Sequence, residues 1–278
     1  MFPSVTLVML LYKSRHIKDQ IIATLSLFDH IVVVDNASED GLIDELECHF
    51  PQGRFIRSAS NQGFGAGNNL GLRAVTTEYC LVANPDAQFD ASTVQEALSL
   101  HHQFDRVGVV GGRVFLDSGE EKASFDWNYD PRHARPFAPL EGAVCAKWIY
   151  GCFMLFQLDA IRRAGYFDER FFLYYEEWDV CRRLQERGFS VLASPQVVVR
   201  HTDGLSSQPT FHTRFRREYH WLRSKRLFLR KFPDRHYRAK PRWLLAIHGT
   251  VATIFFALLF RKTALIKALA RARVGFTG

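Results

Sequence analysis

Cys80-Leu81-Val82-Ala83-Asn84-Pro85-Asp86 is a short apolar run that halts at a proline and then presents a carboxylate. Such a run reads as a buried strand whose C-terminal end aims one acid toward solvent, and a hard oxygen placed there can ligate a divalent cation. Working outward, Val5 to Leu11 and Ile31 to Val34 are further unbroken apolar runs, the pattern of strands buried on both faces. Between them Ile17, Ile21, Ile22, Leu25 and Phe28 fall at helical spacing. A strand, a helix and a strand in this order form a βαβ unit, whose strands run parallel. The expected fold class is therefore α/β, with a Rossmann-like, mixed but mostly parallel sheet flanked by helices.

After Asp35-Asn36, a helix near Leu42 to Cys48 leads to a third strand at Phe55 to Arg57. Asn61-Gln62-Gly63-Phe64-Gly65-Ala66-Gly67-Asn68-Asn69-Leu70-Gly71 then opens a helix toward Ala74. Its glycines either let that helix pack close to the sheet or contact a sugar-nucleotide; their spacing does not fit a dinucleotide fingerprint. Past Asp86, Ser92 is the expected N-cap for Thr93 to Phe104, and Val107 to Val110 and Arg113 to Leu116 read as separate strands. Asp117 to Leu140, polar and carrying Pro131, Pro136 and Pro139, is expected to form a long loop over the site. Val144 to Phe156 is apolar but broken at Gly151-Cys152, and Asp159 to Ala164 is a short helix closed by Gly165. Tyr175-Glu176-Glu177-Trp178-Asp179 enters a helix that Gly188 stops. Acids are favoured at a helix start by the backbone dipole, so capping accounts for at least one of these three. Val191 to Ala193 and Val197 to Val199 read as short strands, the second delivering Arg200-His201.

The totals narrow the class further. With 278 residues, 47% of them apolar, the chain can bury a sizeable core and is not a disordered protein. Its five cysteines lack CxxC spacing and are odd in number, so neither a zinc knuckle nor a disulfide framework is suggested, and a reducing compartment fits best. The first residues show no basic segment leading into an apolar one, so no signal peptide is expected. The net charge of +7 is unevenly spread: residues 211–242 hold twelve Lys and Arg against Glu218 and Asp234, and residues 261–278 hold five against none. The rest of the chain is thus net acidic, and the basic tail is suited to an acidic surface, either anionic lipid or nucleic acid. Trp243 to Phe260 carries no formal charge but is interrupted by His248, Gly249, Thr250 and Thr253. It is short for a bilayer span, and with the amphipathic Lys262 to Arg273 it reads as a helical hairpin lying on a membrane.

Six elements in order resemble the family 2 glycosyltransferases, in particular the branch containing bacterial rhamnosyltransferases. They are Val32-Val33-Val34-Asp35-Asn36-Ala37-Ser38-Glu39-Asp40-Gly41, Asn61-Gln62-Gly63-Phe64-Gly65, Asn84-Pro85-Asp86-Ala87, Gly165-Tyr166-Phe167-Asp168-Glu169, Tyr175-Glu176-Glu177-Trp178-Asp179 and His201-Thr202-Asp203-Gly204-Leu205-Ser206. The resemblance covers about residues 4–206. It implies a GT-A fold and inverting transfer of a sugar from a nucleoside diphosphate, dTDP-rhamnose or a UDP-sugar, to a lipid-linked or saccharide acceptor in bacterial surface polysaccharide assembly. On that resemblance Asp86 and His201 hold Mg²⁺ or Mn²⁺, and Asn84, where the family more often has Asp, contacts ribose or phosphate. Asp35 takes the hydrogen bond of the base N–H, Tyr12 lies beside the base, and Asn61 contacts the donor. Glu177 is the catalytic base although the family usually has Asp there, Asp179 is the second candidate, and Glu176 orients the acceptor or braces the loop.

The expected organisation is a catalytic domain at 1–210, its nucleotide-sugar half at 1–113 and its acceptor half at 114–210, followed by a basic helical tail at 211–278. The tail places the enzyme in the cytoplasm, peripheral to the inner face of the plasma membrane. Two other classes compete. A nucleic-acid-binding protein using residues 211–242 leaves the acidic constellation without a purpose, so no nucleic-acid partner is expected. A nucleotidyltransferase would want a Gly-rich, Lys-containing loop after the first strand, and none is there.

Overall fold

A computed structural model describes residues 2–127, 141–201, 210–233, 241–258 and 262–277. The chain divides into two compact units, Met1–Glu169 with Glu177–Ser206, and Arg170–Glu176 with Ser207–Gly278.

The first unit opens with β1 (Val5–Leu11), α1 (Lys18–Leu25), β2 (His30–Asp35), α2 (Leu42–His49), β3 (Arg54–Arg57), α3 (Phe64–Leu72) and β4 (Tyr79–Ala83). Next come β5 (Ala87–Gln88), α4 (Ala91–Gln103), β6 (Val107–Phe115), β7 (Glu121–Lys122), β8 (Phe125–Asp126), β9 (Val144–Cys145) and β10 (Trp148–Ile149). The unit ends with β11 (Phe153–Gln157), α5 (Leu158–Ala164), α6 (Glu176–Glu186) and β12 (Ser190–His201). The main sheet has the order β3-β2-β1-β4-β11-β6-β12-β5. β3, β2, β1 and β4 are mutually parallel, β11 is antiparallel to both its neighbours, and β6 and β12 are parallel to each other. The C-terminal ends of β1, β2, β4 and β12 therefore share one rim, with Asp35 at the end of β2, Asp86 just past β4 and His201 at the end of β12.

The core is built from the apolar runs read first: Leu7, Met9, Leu11, Val33, Leu81 and Leu155 are buried between the helical layers. α3 lies unusually close to the sheet. A Cβ on Gly67 would sit 2.6 Å from Leu10, and one on Gly71 would sit 2.6 Å from Val8, so these two glycines serve close packing. Several boundaries differ from expectation for identifiable reasons. The cap of α4 is Asp90, whose carboxylate accepts from the Thr93 N–H at 2.9 Å, while the Ser92 hydroxyl donates to Asp90. The two strands expected at 107–116 are one, as are the two at 191–199. β12 absorbs Pro195 in a bulge between Ser194 and Val198, where its missing N–H breaks no ladder bond. The expected loop at 117–140 begins with β7 and β8; residues 128–140 lie outside the described residues.

The second unit contains α7 (Phe211–Lys231), α8 (Arg242–Leu258) and α9 (Lys262–Thr277). Thr210 and Thr213 close a capping box at the start of α7. α7 holds the 170–176 segment: Ser224 Oγ donates to Leu173 O at 2.8 Å, and His220 stacks on Phe172 with centroids 4.4 Å apart. α8 and α9 meet backbone to backbone, because Gly249 abuts Ala272 and Gly275 abuts Ala246. Among the described residues no helix is long and apolar enough to cross a membrane.

Candidate active site

Asp86 and His201 come together because β5, which begins one residue after Asp86, pairs with the end of β12 so that Ala87 is opposite His201. His201 Nε2 lies 3.1 Å from Asp86 Oδ1 and 3.1 Å from Asn84 Nδ2. Both members of the pair are buried, Asp86 at 5% and His201 at 4% exposure. One ring nitrogen cannot donate to the carboxylate and accept from the amide at once. Nε2–H donating to Asp86, with the Asn84 amide turned to offer its oxygen, satisfies all three groups without an ion; the 3.1 Å spacing also suits adjacent ligands on an octahedral ion with bonds of about 2.1 Å, so the two residues could hold one. An imidazole beside a carboxylate accommodates Mn²⁺ as well as Mg²⁺. Among the described residues no group of three His, Cys, Asp or Glu side chains is close enough to hold an ion.

A three-residue segment joins the pair to the candidate base. Tyr150 presents its ring to His201 edge-on, with centroids 5.8 Å apart, and Cys152 O accepts from Asn84 N–H at 3.0 Å. Between them Gly151 lies against the start of α6: a Cβ on it would be 3.7 Å from Glu177 Cβ, an ordinary packing distance. The first turn of α6 is anchored there by Trp178, which stacks on Trp148 of β10 at 4.7 Å and 21°. The structure therefore brings Asn84, Asp86, His201 and Glu177 around residues 150–152. Asp179 is placed otherwise. It is fully buried, and Arg183 Nε donates to it at 2.7 Å while the same guanidinium holds the carbonyls of Ala164 and Tyr166.

Farther along the rim, Tyr12 and Asp35 sit at the ends of β1 and β2, linked through Ser38. The Lys13 N–H donates to Ser38 Oγ at 3.0 Å, and the Ser38 N–H donates to Asp35 Oδ1 at 3.2 Å. Asp35 thus shapes its own turn, and its carboxylate retains further acceptor positions. Lys13, Ala37 and Glu39 all adopt positive φ here, between 55° and 61°, an uncommon density of left-handed non-glycine residues. Such backbone, costing about 1–3 kcal/mol per residue, clusters at functional sites. Asn61 Oδ1 accepts from the Gly63 N–H and from Asn36 Nδ2, so it fixes the entry into α3. Asn69 of α3 in turn clamps Phe167 through both its backbone groups and reaches Glu169 at 3.1 Å. Ser38, Asn36 and Tyr150 carry no role in the sequence reading. The first two stand in the quoted Val32–Gly41 stretch, whereas nothing in the pattern around Tyr150 marks it.

Among solved structures, the fold is similar to that of a mannosyltransferase from Pyrobaculum calidifontis in complex with GDP-Man and Mn²⁺, with a TM-score of 0.59 and 18% identity over 98% of this chain and 86% of that one. The curled, mixed sheet with flanking helices is the GT-A fold. By sequence the chain is 26% identical to a low-salt glycan biosynthesis hexosyltransferase of Haloferax volcanii, covering 79% of this chain and 72% of the relative. It is 25% identical to an N-acetylglucosaminyl-diphospho-decaprenol L-rhamnosyltransferase of Mycobacterium tuberculosis, covering 82% and 84%. The model of glycosyl transferase family 2 matches residues 15–163, more than half of the 278 residues. That match, on a chain with the GT-A fold, shows that this protein belongs to glycosyl transferase family 2.

Proposed function

We propose that the chain transfers a sugar, rhamnose in the first instance, from a nucleoside diphosphate to an acceptor hydroxyl with inversion at the anomeric carbon. The observation that carries this reading is the seating of Glu177 and the Asp86–His201 pair around the same three residues, Tyr150 to Cys152. The acceptor oxygen attacks the anomeric carbon as its proton passes to Glu177, and the bond to the diphosphate breaks with its electron pair leaving on the phosphate oxygen. Asp86 and His201 would hold a divalent cation, Mg²⁺ or Mn²⁺, which when bound would supply positive charge against that developing anion. Asn84 faces ribose or phosphate, Asp35 accepts from the base N–H, Tyr12 covers the base, and Asn61 sets the loop beneath the donor. Asp179 serves as a brace in this scheme, since its carboxylate is already engaged by Arg183. Residues 1–113 bind the nucleotide-sugar, 114–210 receive the acceptor and 211–278 form the tail.

The relatives support a donor and acceptor class. One is named for L-rhamnose and a diphospho-decaprenol-linked acceptor, which favours dTDP-rhamnose over a UDP-sugar and a lipid-linked over a free saccharide acceptor. A lipid-linked acceptor suits an enzyme on the cytoplasmic face of a membrane, and the basic, apolar tail fits an anionic lipid surface. Replacing Glu177 by Gln tests the core of this reading. Transfer should fall by about 10³-fold or more while the donor binds nearly as before, because shape is kept and only proton uptake is lost. Full turnover in Glu177→Gln removes the residue from that role.

A further inference from the structure

Lys122 and Tyr150 stand behind His201. Lys122 Nζ donates to the Tyr150 hydroxyl at 2.6 Å, and the ammonium also lies 4.2 Å from the ring centroid. The ring of Tyr150 then meets the imidazole of His201 at 72° with centroids 5.8 Å apart, on the nitrogen-bearing ring whose Nε2 faces Asp86. The two residues come from segments outside the rim strands. Lys122 is on β7, held against β6 opposite Val114, and Tyr150 follows β10, its N–H donating to Ser124 O at 2.6 Å. Tyr150 is thus tethered at its hydroxyl and at its backbone while its ring packs T-shaped against the imidazole that faces Asp86.

We propose that Lys122 and Tyr150 are positioning residues that lock the His201 imidazole for cation binding, Tyr150 by contact and Lys122 by holding Tyr150. The proposal rests on the reading of Asp86 and His201 as the cation pair. Supporting groups around a ligating histidine commonly contribute 10-fold to 100-fold to metal affinity. A locked ring acts by lowering the cost of assembling two ligands, so its loss is felt in binding and is overcome by excess metal.

The test is Mn²⁺ titration of the full chain without donor, free Mn²⁺ being followed by its paramagnetic resonance signal, alongside donor turnover at rising Mn²⁺. Tyr150→Ala should weaken Mn²⁺ binding by about 10-fold or more. Tyr150→Phe and Lys122→Met, which keep the ring and its packing, should weaken it by about 3-fold to 10-fold, as expected for a partial loss. In all three, turnover at saturating Mn²⁺ should return to within about twofold of wild type, a split that general damage to the fold would not produce. If Tyr150→Ala does not fold, the other two variants decide. Wild-type Mn²⁺ affinity in these variants, with His201→Ala weakened, overturns the positioning proposal and leaves the proposed reaction standing. Wild-type affinity in His201→Ala as well overturns the assignment of the cation pair itself.

Discussion

His101 lies in the last turn of α4 with its Nε2 3.0 Å from Leu155 O on β11 and its ring 5.0 Å from that of Tyr79. Burial holds its pKa down at about 4, against the opposing pull of the Leu155 and Val107 backbone groups, with His102 adding to the fall and Glu78 resisting it. In the unfolded chain the same side chain titrates near 6.5. Between those values the unfolded state binds more protons, so stability rises with pH through the window. The contribution is complete above about 6.5 and is lost as pH falls toward 4, a difference on the order of 3 kcal/mol. Urea midpoints should therefore drop across this range, and His101→Gln, which keeps a donor for Leu155 O, should drop less; parallel curves for the two proteins would exclude His101 as the source. The contrast with the acids is instructive. Glu177 and Asp179 are both acids near the start of one helix, ranked in the sequence only by the resemblance; in the structure Asp179 meets a guanidinium, while Glu177 packs against Gly151. Asp86 stood out in the sequence because it ends an apolar run, and His201 because the resemblance marks it before Gly204 and Ser206; that the two lie 3.1 Å apart, and that Tyr150 touches the imidazole, are contacts across distant segments that leave no periodicity.

Among elements, the strands were legible as runs and misread at their interruptions. Gly111-Gly112 and Ser194-Pro195-Gln196 look like breaks because glycine and proline usually end strands. Here they face each other. The residues that appear to stop β6 and β12 instead make the bulge at which both continue, and that continuity carries His201 to the rim beside Asp86. The space at this crossing is strict: a Cβ on Gly112 would come within 2.0 Å of Val197 O, a backbone atom that cannot rotate away. Gly112→Ala must therefore shift the bulge, with a loss of about 3 kcal/mol, at the upper end for overpacking. Because the bulge lies on the strand that delivers His201, the same substitution should weaken Mn²⁺ binding. Urea unfolding and Mn²⁺ titration check the two effects; unchanged stability would mean that β12 passes Gly112 by another path. α3 shows the other kind of ambiguity. A glycine series before a helix is equally the mark of a ligand loop and of a close-packed helix, and Gly67 and Gly71 resolve to the second through Leu10 and Val8.

At the scale of the whole molecule the charge is segregated, with the cations concentrated in 211–242 and 261–278 and a surplus of acids in the rest. In the second unit this basicity is combined with an exposed apolar stripe. Trp243, Ile247 and Val251 follow one another at four-residue intervals along α8 and are 64%, 56% and 62% exposed. Phe276 of α9 is exposed as well, and lies near the start of α8 because Gly275 abuts Ala246. Part of the cationic surface is already spent internally: Arg273 covers the rings of Phe215 and Tyr219, and Lys225 lies over Trp221. On the proposed membrane reading, the basic tail, with no acid anywhere in 241–278, would complement an anionic bilayer, where each Lys or Arg contributes about 1 kcal/mol and each buried apolar side chain about 1.5–3 kcal/mol. A helix lying in the interface with tryptophan at its edge uses both terms without spanning the membrane. We therefore expect the full chain to float with phosphatidylglycerol vesicles and not with phosphatidylcholine vesicles, and to be released by high salt. Trp243→Ser combined with Ile247→Ser should reduce partitioning by about 10-fold or more, through loss of the apolar term, while leaving Mn²⁺ binding by the first unit unchanged. Equal flotation of this variant and wild type would show that the stripe on α8 is not the inserted face, and flotation insensitive to both salt and lipid charge would remove the electrostatic part of the argument.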